Sequence, residues 1–234
     1  MRTLRLLLLL TLTTGVAKAE EILKLTAQPI PFFIESEERG TFIDLTKEIA
    51  TKLGVKVSVE VYPNVRAIDI FRKGRSLAFL PGSHPKLDKH DYFETEPIFY
   101  KKIFIYSKSP ESFSSLKDLA HKRIGVTMGY TYPPDLAKVT GVEIQEAAND
   151  EGNLRKLHAG RIDAFLGEEV SVNDGIESLG FKEIGYKKEK FLTKEPIFYA
   201  FQKSPEGERW FQKFNETIRL MKKAGTLDKI VLKK

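Results

Sequence analysis

Val55, Val57, Val59 and Val61 stand two residues apart, the period of a strand with one buried face. Just before them Leu45, Ile49 and Leu53 recur four apart, one face of a helix, with Asp44 positioned to cap it and Gly54 to stop it. Upstream, residues 22–27 form a short apolar strand that ends before Pro29 and Pro31. Downstream, the pattern predicts a short helix over 64–73 closed by Gly74, then a buried strand over 77–80 ending at Pro81-Gly82. The order β-α-β-α-β implies a mainly parallel sheet flanked by helices.

A second alternating unit follows. Helices are predicted over 116–120, 134–139 and 150–159, and strands over 123–127, 142–146 and 162–166. Between and after the two units run long β-branched and aromatic stretches, 97–107 and 197–202, with no helix signal. The chain then finishes in an amphipathic helix whose apolar stripe is Trp210, Phe214, Ile218 and Met221, stopped by Gly225. Short, unknotted connections favour two lobes joined by two crossing segments, with the last helices returning to the first lobe. A cleft between lobes is where a small ligand is expected.

One pentapeptide, EPIFY, occurs at 96–100 and again at 195–199, each followed by KSPE at different spacing. Nothing around the copies matches, so they are read as the outbound and return legs of a hinge, not as a duplicated site. Pro97 and Pro196 would begin each strand, since proline is tolerated at strand starts and edges. Ser109-Pro110 and Ser204-Pro205 would end them. Residues 99–106 and 198–201 are then expected to lie side by side.

Composition narrows the class. Arg2 and Arg5, the apolar run 6–10 and Ala17-Lys18-Ala19 have the form of a cleavable secretory signal over 1–19. The apolar core is about half the length a helix needs to cross a bilayer. Periplasmic export follows. With no cysteine in the chain there is no disulfide framework, thiolate metal site or cysteine nucleophile. The net charge of +6 includes Arg2, Arg5 and Lys18, and the remaining lysines are interleaved with acids. That is a solvated surface, not a nucleic-acid footprint. His84, His90, His121 and His158 are scattered without metal-ligand spacing, and no cofactor motif is present.

Six segments in order resemble the family 3 extracellular solute-binding proteins, the periplasmic amino-acid-binding type of ABC transport systems. They are TFIDLTKEIATKLGVKV (41–57), PNVRAIDIFRKGR (63–75), YFETEPIFY (92–100), SLKDLAHKRIGVTMGYTY (115–132), LHAGRIDAFLGEE (157–169) and NETIRLMKKAGTLDKI (215–230). The resemblance implies a two-lobe, type II periplasmic-binding-protein-like α/β fold, each lobe a mainly parallel sheet flanked by helices, joined by two hinge strands. Its expected divisions are the signal peptide 1–19, a first lobe 20–106, a second lobe 107–192, and the hinge return with closing helices over 193–234.

The same resemblance nominates ligand contacts. Phe32 and Phe33 sit in a loop at the cleft mouth, one expected to face the ligand and one the core. Arg66, near the start of a short helix, could grip an anion bidentately or pair with Asp69 or Glu60. The family's carboxylate-gripping arginine is missing: GSHPKLDKH (82–90) carries Lys86 and Lys89 instead, and no arginine lies between Arg75 and Arg123. A lysine is a point charge, not a planar fork, although Lys86 and Ser83 could still contact an anion. In the second lobe Tyr130 could stack on the ligand and Thr131 could stand at a helix N-terminus that holds an anion. Glu168 occupies the position of the acid that meets the ligand's amine, with Glu169 beside it.

These residues imply a monomeric, non-enzymatic binding protein that captures a small amino-acid-like or organic-acid ligand by hinge closure and passes it to an ABC permease. Two other readings stay open: a periplasmic dehydratase using Glu168 or Glu169 as acid, and an orphan sensor for a membrane receptor.

Overall fold

The computed structural model describes residues 22–83 and 87–233. The expected signal peptide and Lys86 lie outside them. The first unit runs β1 (Ile22–Ala27), α1 (Thr41–Leu53), β2 (Lys56–Val61), α2 (Asn64–Arg72) and β3 (Ala78–Gly82). β1 lies between β2 and β3, parallel to both. After β4 (Tyr92–Glu94) and β5 (Phe99–Tyr106) comes the second unit: β6 (Arg123–Thr127), β7 (Glu143–Ala147), α3 (Asp150–His158), β8 (Ala164–Glu168) and α4 (Glu169–Leu179). β6 is flanked in parallel by β7 and β8. β9 (Thr193–Gln202), α5 (Pro205–Lys223) and α6 (Thr226–Val231) complete the chain.

The strands join in one path, β2-β1-β3-β9-β5-β8-β6-β7, with β4 also on β9. Its centre is the antiparallel pair β5–β9, so these two strands carry the chain between the units. Phe99 faces Ile197 and Ile103 faces Thr193. The two EPIFY copies therefore run past each other. Their contact is made by 99–103 against 193–197; residues 198–201 pair instead with β3 and β4. Pro97 precedes its strand as expected, but Pro196 lies inside β9. It is tolerated because β3 and β4 join β9 only from Phe198 onward, leaving one flank of β9 open at Pro196.

Buried Trp210, Phe214, Ile218 and Met221 bring α5 into the core of the first unit, among Leu23, Phe42 and Ile49. Ser204 caps α5, its Oγ accepting from Gly207 N at 3.0 Å, and Pro205 follows at the first helical position. Ser-Pro thus starts a helix as well as ending a strand. The second unit has two smaller cores on either face of its sheet, one around Ile103 and Leu166, the other around Phe104 and Phe165.

Several local expectations shift. α1 begins at Thr41, capped by Gly40, and Asp44 falls in its first turn. Gly40 has φ 121°, and a Cβ there would stand 2.4 Å from the Phe33 carbonyl oxygen, so the tight turn starts the helix early. The helices expected at 116–120 and 134–139 are 3₁₀ turns at Leu116–Leu119 and Pro134–Lys138. The strand expected over 162–166 lies at Ala164–Glu168, so Glu168 both ends β8 and caps α4.

Candidate functional site

A cavity of about 310 Å³ lies where the two units face each other. The first unit supplies the loop after β1 (Gln28, Pro29, Ile30, Phe33), Phe42 of α1, the start of α2 (Pro63, Asn64), and Pro81 and Ser83. The second supplies the turn after β6 (Met128, Gly129, Tyr130, Thr131) and the β8–α4 junction (Glu168, Ser171). The crossing strands form the remaining wall with Phe99, Lys101, Glu195 and Ile197. Both units and both connections thus touch one space, the geometry in which relative motion would open or shut it.

Glu168 is the most constrained acid in this space. β8 ends on it and α4 begins after it, so its carboxylate caps α4. Oε2 accepts from Val170 N at 3.0 Å, Ser171 N at 2.9 Å and Ser171 Oγ at 3.0 Å. Oε1 is buried and has no partner among the described residues. Burial pushes the Glu168 pKa up to about 7, against the lowering pull of those three donors and of Lys101. One oxygen is therefore held by the fold while the other is desolvated and unused. Leaving a buried acceptor unmet costs about 1–3 kcal/mol, a cost that a cationic or N–H ligand group would remove. Glu169, its neighbour, points elsewhere: it pairs with Lys102 at 3.3 Å and accepts from Tyr186 OH at 3.0 Å.

Beside Glu168 stands a polar cluster that the sequence did not suggest. Thr127 Oγ1 donates to Asp150 Oδ1 at 2.6 Å, and Asn153 Nδ2 donates to Thr127 Oγ1 at 3.0 Å. Tyr130 OH donates to Asp150 Oδ2 at 3.4 Å, and Lys101 Nζ lies 4.6 Å from the Tyr130 ring centre. Burial raises the Asp150 pKa, opposed by the Thr127 and Tyr130 hydroxyls and Lys101. Burial lowers the Lys101 pKa, opposed by Glu195, Glu168 and Asp150. The Tyr130 phenol is pushed up by burial and by Asp150.

Of the expected contacts, Phe33, Ser83, Tyr130, Thr131 and Glu168 line the cavity. Phe33 also packs on Phe42 and Phe99, with ring centres 4.5 and 4.9 Å apart. Phe32 and Arg66 are not among the lining residues. Phe32 has φ 69° and turns away, with Lys233 Nζ 5.4 Å from its ring centre. Arg66 is exposed and lies 4.6 Å over Tyr62. It pairs with neither Asp69, which holds Lys73, nor Glu60, which accepts from Tyr62 OH. The helix N-terminus expected beside Thr131 is absent too. Pro133 and Pro134 open a short 3₁₀ turn, and proline has no N–H to offer an anion. Lys101, Glu195, Asn64 and Asp150 were missed. The usable signal was charge inside the apolar crossing strands: Lys101 follows the first EPIFY directly and Glu195 begins the second.

No family model matches the chain. The arginine-binding extracellular protein ArtP of Bacillus subtilis (strain 168) is 23% identical over 201 residues, covering 82% of this chain and 75% of that one. An ancestral arginine-binding protein bound to arginine is 26% identical, with TM-score 0.69 over 91% of this chain and 97% of that one. The GluR0 ligand binding core in complex with L-glutamate superposes at TM-score 0.76 with 14% identity, over 91% and 97%. The chain is related to the family 3 solute-binding proteins, and its fold is the type II periplasmic binding-protein fold. In that fold the cavity is the interlobe cleft, and β5 and β9 are the two hinge strands.

Proposed function

We propose that the protein is an extracytoplasmic solute-binding protein. It captures a small amino-acid-like or organic-acid ligand in the interlobe cleft and delivers it, unchanged, to an ABC-type permease. The observation that carries this is Glu168: a buried carboxylate with one oxygen anchored on α4 and the other unpartnered at a cavity shared by both lobes. Such a group suits a ligand ammonium. Relatives named as amino-acid binders support the same substrate class.

The moving bodies are taken as residues 20–106 with 193–234, and 107–192. A ligand that touches both lobes favours the shut form by its differential affinity for it. The protein acts as a monomer in the periplasm. Thermal-shift screening against amino acids, organic acids and small peptides, with mass spectrometry of co-purified solute, tests the proposal. At least one zwitterionic or anionic solute is expected to raise the melting temperature and to be recovered unaltered. A screen with no stabilising solute would remove the proposal, and recovery of a converted product would replace it with an enzyme.

A further inference from the structure

Two groups of opposite charge type line the cleft, each with bonding capacity that no described residue meets. Glu168 Oε1 is one. The other is Lys101, the sole cation among the described residues that line the cavity. It projects from hinge strand β5, and among the described residues its ammonium makes no hydrogen bond or close ion pair, only the contact with the Tyr130 ring at 4.6 Å. Glu195, its cross-strand partner in the β5–β9 ladder, does not bond to it either. A desolvated ammonium and a desolvated carboxylate that share a cavity yet do not meet leave room for a molecule that bridges them.

The rest of the sequence bears on which group Lys101 takes. A guanidinium for the ligand carboxylate is missing between Arg75 and Arg123, and Arg66 is stacked outside the cavity on Tyr62. We propose that Lys101 is the carboxylate anchor of the site: the solute's carboxylate seats on its ammonium while the solute's amine seats on Glu168 Oε1. This deepens the solute-binding reading and rests on it. It moves the anion grip from a lobe to the hinge strand. A lysine point charge also demands less of carboxylate orientation than an arginine fork does. The site would then read the carboxylate's charge more than its plane, and Phe33, Phe99 and Ile197 would supply apolar contact for the solute's body.

The test is a calorimetric cycle with the twenty L-amino acids and their methyl esters, on wild type, Lys101→Met and Lys101→Arg. The ester removes the carboxylate charge and keeps the amine. Wild type is expected to bind its preferred acid about 10- to 100-fold more tightly than the ester, the range of one hydrogen bond to a charged group. Lys101→Met is expected to bind acid and ester alike, near the wild-type affinity for the ester, and Lys101→Arg to keep the preference for the acid. A Lys101→Met protein that still prefers the acid by the wild-type factor would overturn the assignment and leave the binding function standing. Equal weakening of acid and ester would also overturn it, by assigning Lys101 a structural role. Failure of every amino acid to bind wild type would overturn this assignment, whereas only failure of the wider screen of amino acids, organic acids and small peptides would remove the binding reading.

Discussion

At the scale of single residues, Glu168 sets the behaviour of the site. Its pKa in the folded chain, about 7, is above the ordinary 4.5. A raised acid binds more protons folded than unfolded, so stability falls as pH rises from about 4.5 through about 7, then levels off. Glu168→Gln lacks this titration and is expected to flatten the decline in melting temperature between pH 5 and pH 8. If a solute's ammonium needs the ionised carboxylate, affinity in wild type should drop about tenfold for each pH unit below 7. Calorimetry at pH 8, 6 and 5 measures this; a pH-independent affinity would mean that Glu168 does not meet a cation. Glu168 was legible through the family resemblance, which puts an acid at its position, although the predicted strand stopped two residues short of it. Arg66 and Phe32 misled, since their fates depend on a stacking partner, Tyr62, and on a positive φ. Neither has a periodic signature.

Among the secondary-structure elements, the periodic ones were read well. α2, α3 and β6 lie within about a residue of expectation, and α5 contains the whole predicted stripe and ends just before Gly225, because apolar pattern and stop signals agree. The helices at 116–120 and 134–139 tightened into 3₁₀ turns; segments this short gain little from further hydrogen bonds after nucleation. Lys101 and Glu195 leave no mark in the pattern, because the signal of a long strand is its apolar face and a single charge on the other face reads as solvated. Helix α5 ties the hinge to the first lobe. Asn215 Oδ1 accepts from Glu96 N at 2.7 Å, and Arg219 and Lys222 hold the Glu96 carboxylate at 3.0 and 3.2 Å. Asn215 is thus a structural contact with the first EPIFY. Removing the α5 cap with Ser204→Ala is expected to cost about 1 kcal/mol, read as a lower urea midpoint with unchanged slope. An unchanged midpoint would show that Pro205 and packing alone define the helix start.

For the whole molecule, the two-lobe plan followed from alternation and the order of segments, and the crossing of β5 and β9 bears it out. The site was only half legible, because it is assembled from both lobes and both hinge strands, which sequence distance hides. Closure is the global prediction: saturating solute should reduce the radius of gyration in small-angle scattering, and a radius unchanged by a bound solute would argue for a rigid site. The most direct measurement is a calorimetric titration of wild type and Glu168→Gln at pH 8 with the L-amino acid that most raises the melting temperature. Saturable one-to-one binding in wild type, weakened at least tenfold in Glu168→Gln, is the predicted result. No saturable heat in wild type, or the same affinity in both proteins, would contradict it.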